Sequence, residues 1–279
     1  MKRKEQIVIV RGGGDIATGT IIKLHHCGYP VLVLESQTPS AIRRHVAVSE
    51  AVYEGRCKVE DDICCLAETM EQTKGIWKKG QIPIMVDPEG EMIFKIHPWA
   101  VVDAILAKKN LGTHRGMAPI TVGLGPGFTA GVDVDVVIET MRGHNLGRLI
   151  EHGQAIPNTG VPGIINGYGK ERVIHAPAEG RLRALCQIGE FVKKNQVIAY
   201  LEQDGKQVGV KASISGLLRG LIRDGYPVKK GLKIADIDPR ESEYDNCFTI
   251  SDKARCIAGG VLESLLYLEG KIRGEEEMR

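Results

Sequence analysis

The sequence predicts an α/β domain with a parallel sheet, followed by a small all-β module and a C-terminal helix. A β-branched run at 7–10 leads through a glycine-rich loop and a helical stretch into a second apolar run at 31–34. Residues 176–201 are repeated at 212–237, and residues 251–269 carry apolar side chains at helical spacing. We therefore expect a first domain over 1–170, the module over 171–240, and a closing segment over 241–279 whose helix packs on the first domain.

The composition excludes several function classes. Apolar residues make up 43% of the 279 residues and aromatic residues only 5%, which is typical of an aliphatic α/β core. The 37 basic and 35 acidic residues nearly cancel, which argues against nucleic-acid or membrane-surface partners. No secretion signal or spanning run is visible, and the seven cysteines include no C-x-x-C pair. We expect a cytoplasmic protein with free thiols and no metal site.

The first glycine loop matches a nucleotide-binding pattern. Between the first strand and helix, Gly12, Gly14 and Ala17 fit G-x-G-x-x-A, which gives a tight turn and a bare backbone near a pyrophosphate. Glu35 lies 21 residues after Gly14, where an acid is suited to bind ribose hydroxyls. The sequence thus predicts a Rossmann-like domain; the alternative is a loop that only turns the corner. The candidate ligand-binding residues of this first site are Gly12, Gly13, Gly14, Asp15, Ala17, Thr18 and Glu35.

A second glycine loop follows another apolar strand in the middle of the chain. Residues 123–128 contain three glycines, residues 132–139 are predicted as a strand, and residues 139–148 bring a carboxylate, two arginines and a histidine together. The alternative is a sheet edge whose tip carries ordinary solvated charges. The candidate residues of this second anion site are Gly125, Gly127, Arg142, His144 and Arg148.

The repeat is the strongest pattern in the chain. With an offset of 36, eleven of 26 aligned positions are identical, where composition alone gives about two. Each copy has a glycine turn, a strand, a second glycine, Val-Lys-Lys and another strand. Two such copies related by a pseudo-twofold axis resemble the biotinyl/lipoyl attachment module, the barrel-sandwich hybrid. The carrier's lysine position falls on Gly205, one residue before Lys206, so a structural or docking role is favoured over covalent attachment.

Several segments together resemble a known family, the accessory proteins of selenium-dependent molybdenum hydroxylases. The resembling segments are residues 11–19, 102–108, 123–128 and 138–144, with the repeated module and final helix following in the same order. This resemblance implies a role in maturing such a hydroxylase, by handling or inserting its molybdenum cofactor. It also implies the hydroxylase apoenzyme as a partner, and it supplies no assigned catalytic residues.

Two other functions stay open at this point. A free-standing NAD(P)-dependent oxidoreductase would use Glu35 on the ribose and Asp103 or His144 as acid–base. A lipoyl- or biotin-type carrier would be modified at Lys206. The expected ligand is accordingly NAD(P) or another nucleotide, or a transiently held molybdenum cofactor.

Overall fold

The chain divides into two compact units. The computed structural model of the protein describes residues 5–160 and 163–277. The first unit comprises the chain up to Pro39, Ala47–Asn158 and the segment from Ile250 onward, and the second comprises Ser40–Val46 and Thr159–Thr249. The segment from Ile250 thus returns the chain to the unit in which it began.

A nine-stranded sheet forms the centre of the first unit. Most of its strands are β-branched or aliphatic and almost wholly buried, as expected for a sheet covered on both faces, whereas the strands toward its two edges are partly exposed. The strands of this unit are β1 (Val8–Arg11), β2 (Val31–Glu35), β3 (Arg56–Val59), β4 (Asp62–Leu66), β5 (Ile82–Val86), β6 (Ala100–Asp103), β7 (Ile120–Leu124), β8 (Thr129–Ala130), β9 (Val136–Ile138), β10 (Leu149–Ile150) and β11 (Gly153–Gln154). The order in the large sheet is β10-β9-β7-β6-β1-β2-β5-β4-β3, and β8 pairs separately with β11.

This sheet corrects the predicted fold class of the first domain. The seven inner strands run parallel, but β3 is antiparallel to β4 and β10 is antiparallel to β9. The Rossmann-like parallel sheet was therefore the wrong prediction, and the unit is an α/β fold with a large mixed sheet. The repeating apolar runs indicated buried strands, but short edge strands carry little signal of their direction.

Residues 132–139 do not form the long strand that the alternating valines predicted. Only Val136–Ile138 is a strand. The amides of Val132 and Asp133 donate to the carbonyl of Thr129, and the Asp133 carboxylate accepts from the Thr129 amide. These bonds form a turn, because a short acidic side chain competes with the strand ladder for backbone amides.

The helices of the first unit begin and end at recognisable signals. They are α1 (Asp15–His26), α2 (Ala51–Glu54), α3 (Met70–Lys78), α4 (Glu91–Ile96) and α5 (Asp252–Glu277). Thr69 caps α3 by accepting from the amide of Gln72, and Ser251 accepts from the amide of Ala254 at the start of α5. Within the described residues, no helix has both the length and the apolar character needed to cross a membrane. The predicted cytoplasmic location stays a prediction.

Glycines bring α5 close to the rest of its unit. A β-carbon on Gly19 of α1 would lie 2.8 Å from the Ala254 carbonyl oxygen, so the two helix backbones nearly touch. A β-carbon on Gly260 would overlap the carbonyl oxygen of Gly147, in the loop after β9. Helix α5 therefore packs on α1 and on the β9–β10 connection through positions where only a hydrogen atom fits.

The second unit contains two four-stranded antiparallel sheets. Its strands are β12 (Val173–His175), β13 (Gly180–Ala184), β14 (Phe191–Val192), β15 (Val197–Gln203), β16 (Lys206–Lys211), β17 (Gly216–Leu221), β18 (Pro227–Val228) and β19 (Lys233–Asp238). The sheet orders are β12-β19-β17-β14 and β16-β15-β13-β18. The predicted biotinyl/lipoyl-type barrel-sandwich hybrid is corrected to this pair of separate sheets, which share one apolar core.

The two copies of the repeat exchange strands. Strand β14 of the first copy pairs with β17 of the second, and β18 of the second copy pairs with β13 of the first. Gly180 and Gly216, which are equivalent in the repeat, both have positive φ and lie against the backbones of Glu202 and Asp238, which are also 36 residues apart. The repeated glycines thus serve the same close backbone approach twice.

Two neighbouring glycines of α5 allow a direct test of this packing. We expect Gly260→Ala to lower the free energy of unfolding by about 1–3 kcal/mol, because the added methyl group overlaps Gly147. Gly259→Ala is the matched control: nothing lies within 4 Å of its added methyl group, so it should gain roughly 0.5–1 kcal/mol of helix propensity. Urea denaturation measures both, and equal effects would contradict the packing.

Candidate functional site

The carboxyl ends of the parallel strands gather the candidate residues at one edge of the large sheet. The strand order reverses at β1: the strands that follow it in the chain, β2 and β5, lie on one side, whereas the later strands β6 and β7 lie on its other side. Ligands of open α/β sheets bind at such a reversal of strand order, just beyond the carboxyl ends of the strands. Here the first glycine loop follows β1, and the second follows β7.

The first two glycines of the β1 loop are covered by the protein itself. A β-carbon on Gly12 would lie 3.0 Å from the Ala104 carbonyl oxygen, and one on Gly13 would lie 3.1 Å from the Ser49 amide nitrogen. The Ser49 amide donates to the Gly13 carbonyl at 3.0 Å. The space that the missing side chains leave is therefore filled by the chain's own backbone at both positions.

Two other predicted ligand-binding residues of this loop face the protein interior. Ala17 is 1% exposed, and Thr18 is fully buried. The Thr18 hydroxyl donates to the Gly14 carbonyl at 2.8 Å and accepts from the Val48 amide at 3.0 Å. Thr18 therefore connects α1 to the segment before α2, and neither side chain is accessible to a ligand.

Glu35 binds the loop instead of facing outward. Its Oε2 accepts from the Gly13 amide at 2.8 Å, and its Oε1 accepts from the Ser36 amide at 2.7 Å. A carboxylate thus occupies the amide that a dinucleotide pyrophosphate would need. The loop does not fit the dinucleotide fingerprint that its spacing suggested.

Gly14 is the open position of the loop. It has extended backbone geometry as the N-cap of α1, and nothing lies within 4 Å of a β-carbon built on it. No protein acceptor for its amide is found among the residues that the structure describes. The N-terminus of α1, with Asp15 as its first residue, therefore presents free donor capacity at the carboxyl edge.

A buried ion pair lies beneath the loop. Arg11 and Asp103 end the adjacent strands β1 and β6, and both are nearly inaccessible, at 3% and 2% exposure. Thr113 joins them: its hydroxyl accepts from Arg11 at 2.6 Å and donates to Asp103 at 2.6 Å. Burial raises the pKa of the Asp103 carboxyl, against its hydrogen bonds from Thr113 and the Ile105 amide. Asp103, predicted as an acid–base for an oxidoreductase, is thus a buried structural group.

The second glycine loop is also packed by protein atoms. A β-carbon on Gly125 would contact the Thr140 hydroxyl closely, and one on Gly127 would lie 2.8 Å from the Lys109 backbone. Gly125 donates its amide to the Ile138 carbonyl at 2.9 Å. The two glycines therefore allow tight turns, and the structure does not leave them bare toward solvent.

The charged residues after β9 divide into two groups. Arg142 makes a bidentate ion pair with Asp252 at the start of α5, with both N–O distances 2.9 Å. Glu139 is 2% exposed and accepts from the amides of Met141 and Ile156. His144 and Arg148 are exposed on the loop, and the structure does not bring them to the other candidates.

Lys253 is the residue that sequence reasoning missed. It lies next to Ala254, where α5 contacts α1, and its ammonium makes no hydrogen bond or ion pair within the described part of the chain. Burial lowers the pKa of the Lys253 ammonium, and the Arg142 guanidinium lowers it further, whereas Asp15 and Glu139 oppose the shift. The candidate site is thus the group formed by Gly14, Asp15, Glu139, Arg142 and Lys253, which we call the carboxyl-edge site.

Other kinds of site find less support. In the described residues, no cluster of three or more His, Cys, Asp or Glu side chains is arranged to hold a metal ion. A cavity of about 720 Å³ lies at the opposite, amino-terminal edge of the sheet, lined by Gln6, His97, Trp99 and Glu269 among others. None of the sequence-predicted site residues lines it.

Comparisons with known proteins give one curated relative and several distant structures. No family model matches the chain. A protein of Escherichia coli K12, described as uncharacterized protein YqeB, is 48% identical over 264 residues, which is 94% of this chain. The chain spans only 48% of that relative's length.

Three of the similar solved structures are an ectoine utilization protein and two proteins described by aspartoacylase or desuccinylase names. The ectoine utilization protein EutE of Ruegeria pomeroyi is 11% identical with a TM-score of 0.26, and 84% of this chain and 86% of that chain are covered. An aspartoacylase family protein of Mesorhizobium loti is 10% identical with a TM-score of 0.26, covering 84% of each chain. The succinylglutamate desuccinylase/aspartoacylase of Rhodobacter sphaeroides is 13% identical with a TM-score of 0.27, covering 84% and 85%.

These comparisons correct the family resemblance. The curated relative is described as uncharacterized, and the three solved structures as an ectoine utilization protein and as aspartoacylase or succinylglutamate desuccinylase proteins; none is described as an accessory protein of selenium-dependent molybdenum hydroxylases. The predicted role in maturing such an enzyme was wrong. The predicted ligands, a nucleotide or a molybdenum cofactor, and the predicted apoenzyme partner are tested by none of these matches and stay predictions.

The two alternative functions are corrected as well. None of the three solved structures named above is described as an NAD(P)-dependent oxidoreductase or a lipoyl carrier. Glu35 and Asp103, assigned to the oxidoreductase, are bonded inside the protein. Lys206 begins β16 paired with Gln203, while Asp204 and Gly205 form the turn, so the lysine does not occupy the tip of the hairpin.

The Arg11–Asp103 pair predicts non-additive stability changes. Asp103→Ala should lower the free energy of unfolding by about 3–5 kcal/mol, because it leaves the Arg11 guanidinium buried without its countercharge. Removing both charges, with Arg11→Met added, should cost less than the sum of the two single changes. A double-mutant cycle by urea denaturation measures this coupling, and strictly additive losses would argue against a coupled pair.

Lys253 predicts a pH-dependent stability. Its amine loses its proton at lower pH in the folded state than in the unfolded chain, so between the two pKa values the unfolded state binds more protons. The free energy of unfolding should then rise with pH across that window, up to about pH 10.4. Lys253→Met should raise the stability at pH 7 by roughly 0.5–1 kcal/mol and flatten the alkaline rise. A rise of equal size in the variant would show that Lys253 does not cause it.

Proposed function

We propose that the carboxyl-edge site binds a single phosphate group of a small phosphorylated molecule. The proposal is carried by the open helix N-terminus at Gly14 together with the Lys253 ammonium, which has no hydrogen-bond or ion-pair partner among the residues that the structure describes. An N-terminal amide and a half-buried cation are the donors that phosphate groups bind in proteins. The nucleotide expected from the sequence is a ligand of this class.

The charges around Lys253 support a ligand that brings its own negative charge. Arg142 is already neutralised by Asp252, and Asp15 and Glu139 lie close enough to affect the Lys253 pKa without forming an ion pair with it. A bound phosphate would supply the hydrogen bonds that the Lys253 ammonium lacks. Binding should therefore raise the Lys253 pKa toward its usual value.

The geometry supports one phosphate group and not a pyrophosphate cradle. The Gly13 amide is occupied by Glu35, and a β-carbon at Gly12 or Gly13 would meet the protein backbone. Of the three loop glycines, Gly14 alone has open space above it and an amide with no acceptor in the described part of the chain. We therefore assign the ligand contacts to Gly14 and Lys253, with Glu35 and Thr18 as residues that hold the loop.

Calorimetric titration with AMP and with inorganic phosphate tests the proposal. Lys253→Met should weaken binding about 10- to 100-fold, because it removes a charge-assisted hydrogen bond. Gly14→Val should also weaken binding, since its side chain fills the open space while its extended backbone accepts any residue. For the wild type, affinity should fall on the alkaline side as Lys253 loses its proton.

Lys271→Met is the matched control, because it removes a lysine of the same helix that is paired with Glu151. Its affinity should equal that of the wild type. Unchanged affinity in both Lys253→Met and Gly14→Val, or no binding of either probe by the wild type, would refute the proposal.

A further inference from the structure

Two cysteines lie directly opposite each other at the edge of the large sheet. In the β3–β4 hairpin the register pairs Cys57 with Cys64, so both side chains project from the same face. Directly opposed residues of an antiparallel pair have α-carbons about 4.5–5.5 Å apart, within the range of about 4.4–6.8 Å that disulfides require. The sequence shows no sign of this pair, because six residues separate the two cysteines.

The two thiols differ in acidity and in burial. The Cys57 thiol donates to the Val48 carbonyl, with sulfur and oxygen 3.4 Å apart. The neighbouring Cys64 side chain lowers the pKa of the Cys57 thiol, and the Ala51 amide adds to that effect against burial. Burial raises the pKa of the Cys64 thiol. The more acidic and less buried sulfur is therefore Cys57.

We propose that Cys57 and Cys64 are a modification site, at which a low-molecular-weight disulfide converts the two thiols into a reversible cross-strand disulfide. The Cys57 thiolate attacks one sulfur of the small disulfide, forms a mixed disulfide and releases one thiolate. The Cys64 thiol then loses its proton and attacks the Cys57 sulfur, which expels the second thiolate. The two cysteines lose two electrons and two protons in total, and the small disulfide is reduced to two thiols.

A hydrogen bond connects Cys57 to the turn Val48–Glu50, which in turn contacts Gly13. Oxidation removes the Cys57 thiol hydrogen and with it the bond to the Val48 carbonyl. Val48 begins the 3₁₀ turn Val48–Glu50, in which the Val48 amide donates to Thr18 and the Ser49 amide donates to Gly13. Loss of one of the bonds that hold this turn should increase the exchange of the Val48 and Ser49 amides.

Thiol counting on the folded, full-length protein tests the cross-link. The protein is treated with oxidised glutathione, the remaining thiols are blocked under denaturing conditions, and peptides are mapped by mass spectrometry. We expect the seven free thiols to fall by two, with a peptide pair joining Cys57 to Cys64, and full recovery after dithiothreitol. Hydrogen exchange of the oxidised form should show faster exchange at Val48 and Ser49.

Variants separate this pair from the other cysteines. In the Cys57→Ser and Cys64→Ala variants, no thiols should be lost to a cross-link. Cys65→Ser is the matched control, because the side chain at position 65 projects from the opposite face of β4; this variant should still lose two thiols. Retention of all seven thiols in the wild type, a stable glutathione adduct on Cys57, or a cross-link between other cysteines would overturn the proposal. The peptide map of the oxidised wild-type protein tests the proposal even if a variant fails to fold.

Discussion

The close contact between α1 and α5 is the constraint on which the carboxyl-edge site depends. Helix α1 starts from the first loop of the chain and α5 is its last helix, yet Gly19 and Ala254 bring their backbones together. This contact brings Lys253, the neighbour of Ala254, within electrostatic range of Asp15, the first residue of α1. A site at the carboxyl edge therefore exists only after the chain has returned to its first unit, and the free energy that packs α5 also positions the site's cation.

The protein's own backbone covers the first two glycines of the β1 loop, which is why the glycine spacing predicted a dinucleotide site that the loop does not form. The spacing Gly12-x-Gly14-x-x-Ala17 describes a turn between a strand and a helix, and that turn is present. What fills the space above the turn is decided by Ala104 and Ser49, which lie far along the chain. Glu35 has the expected spacing as well, but it binds the loop amide instead of a ribose. Spacing predicts a backbone path, whereas ligand access depends on long-range packing.

The parts of the fold that were predictable are those set by local pattern. The aliphatic runs at β1, β2 and β5 form strands, and the glycine-bounded helix α1 ends at His26. Strand direction at the sheet edges and the short length of β9 depended on partners such as Thr129, which no local pattern names. Lys253 escaped notice for a similar reason: a lysine in an ordinary amphipathic helix has no signature until its neighbours Asp15, Glu139 and Arg142 converge on it.

The exchange of strands in the second unit makes each copy of the repeat depend on the other. One copy of the repeat alone would leave the outer edges of β13 and β17 without the partners that β18 and β14 provide. A single copy could complete its sheets only with an identical molecule, as in a twofold-symmetric homodimer. Because both copies stand in one chain, the same pairing is intramolecular here and does not depend on protein concentration.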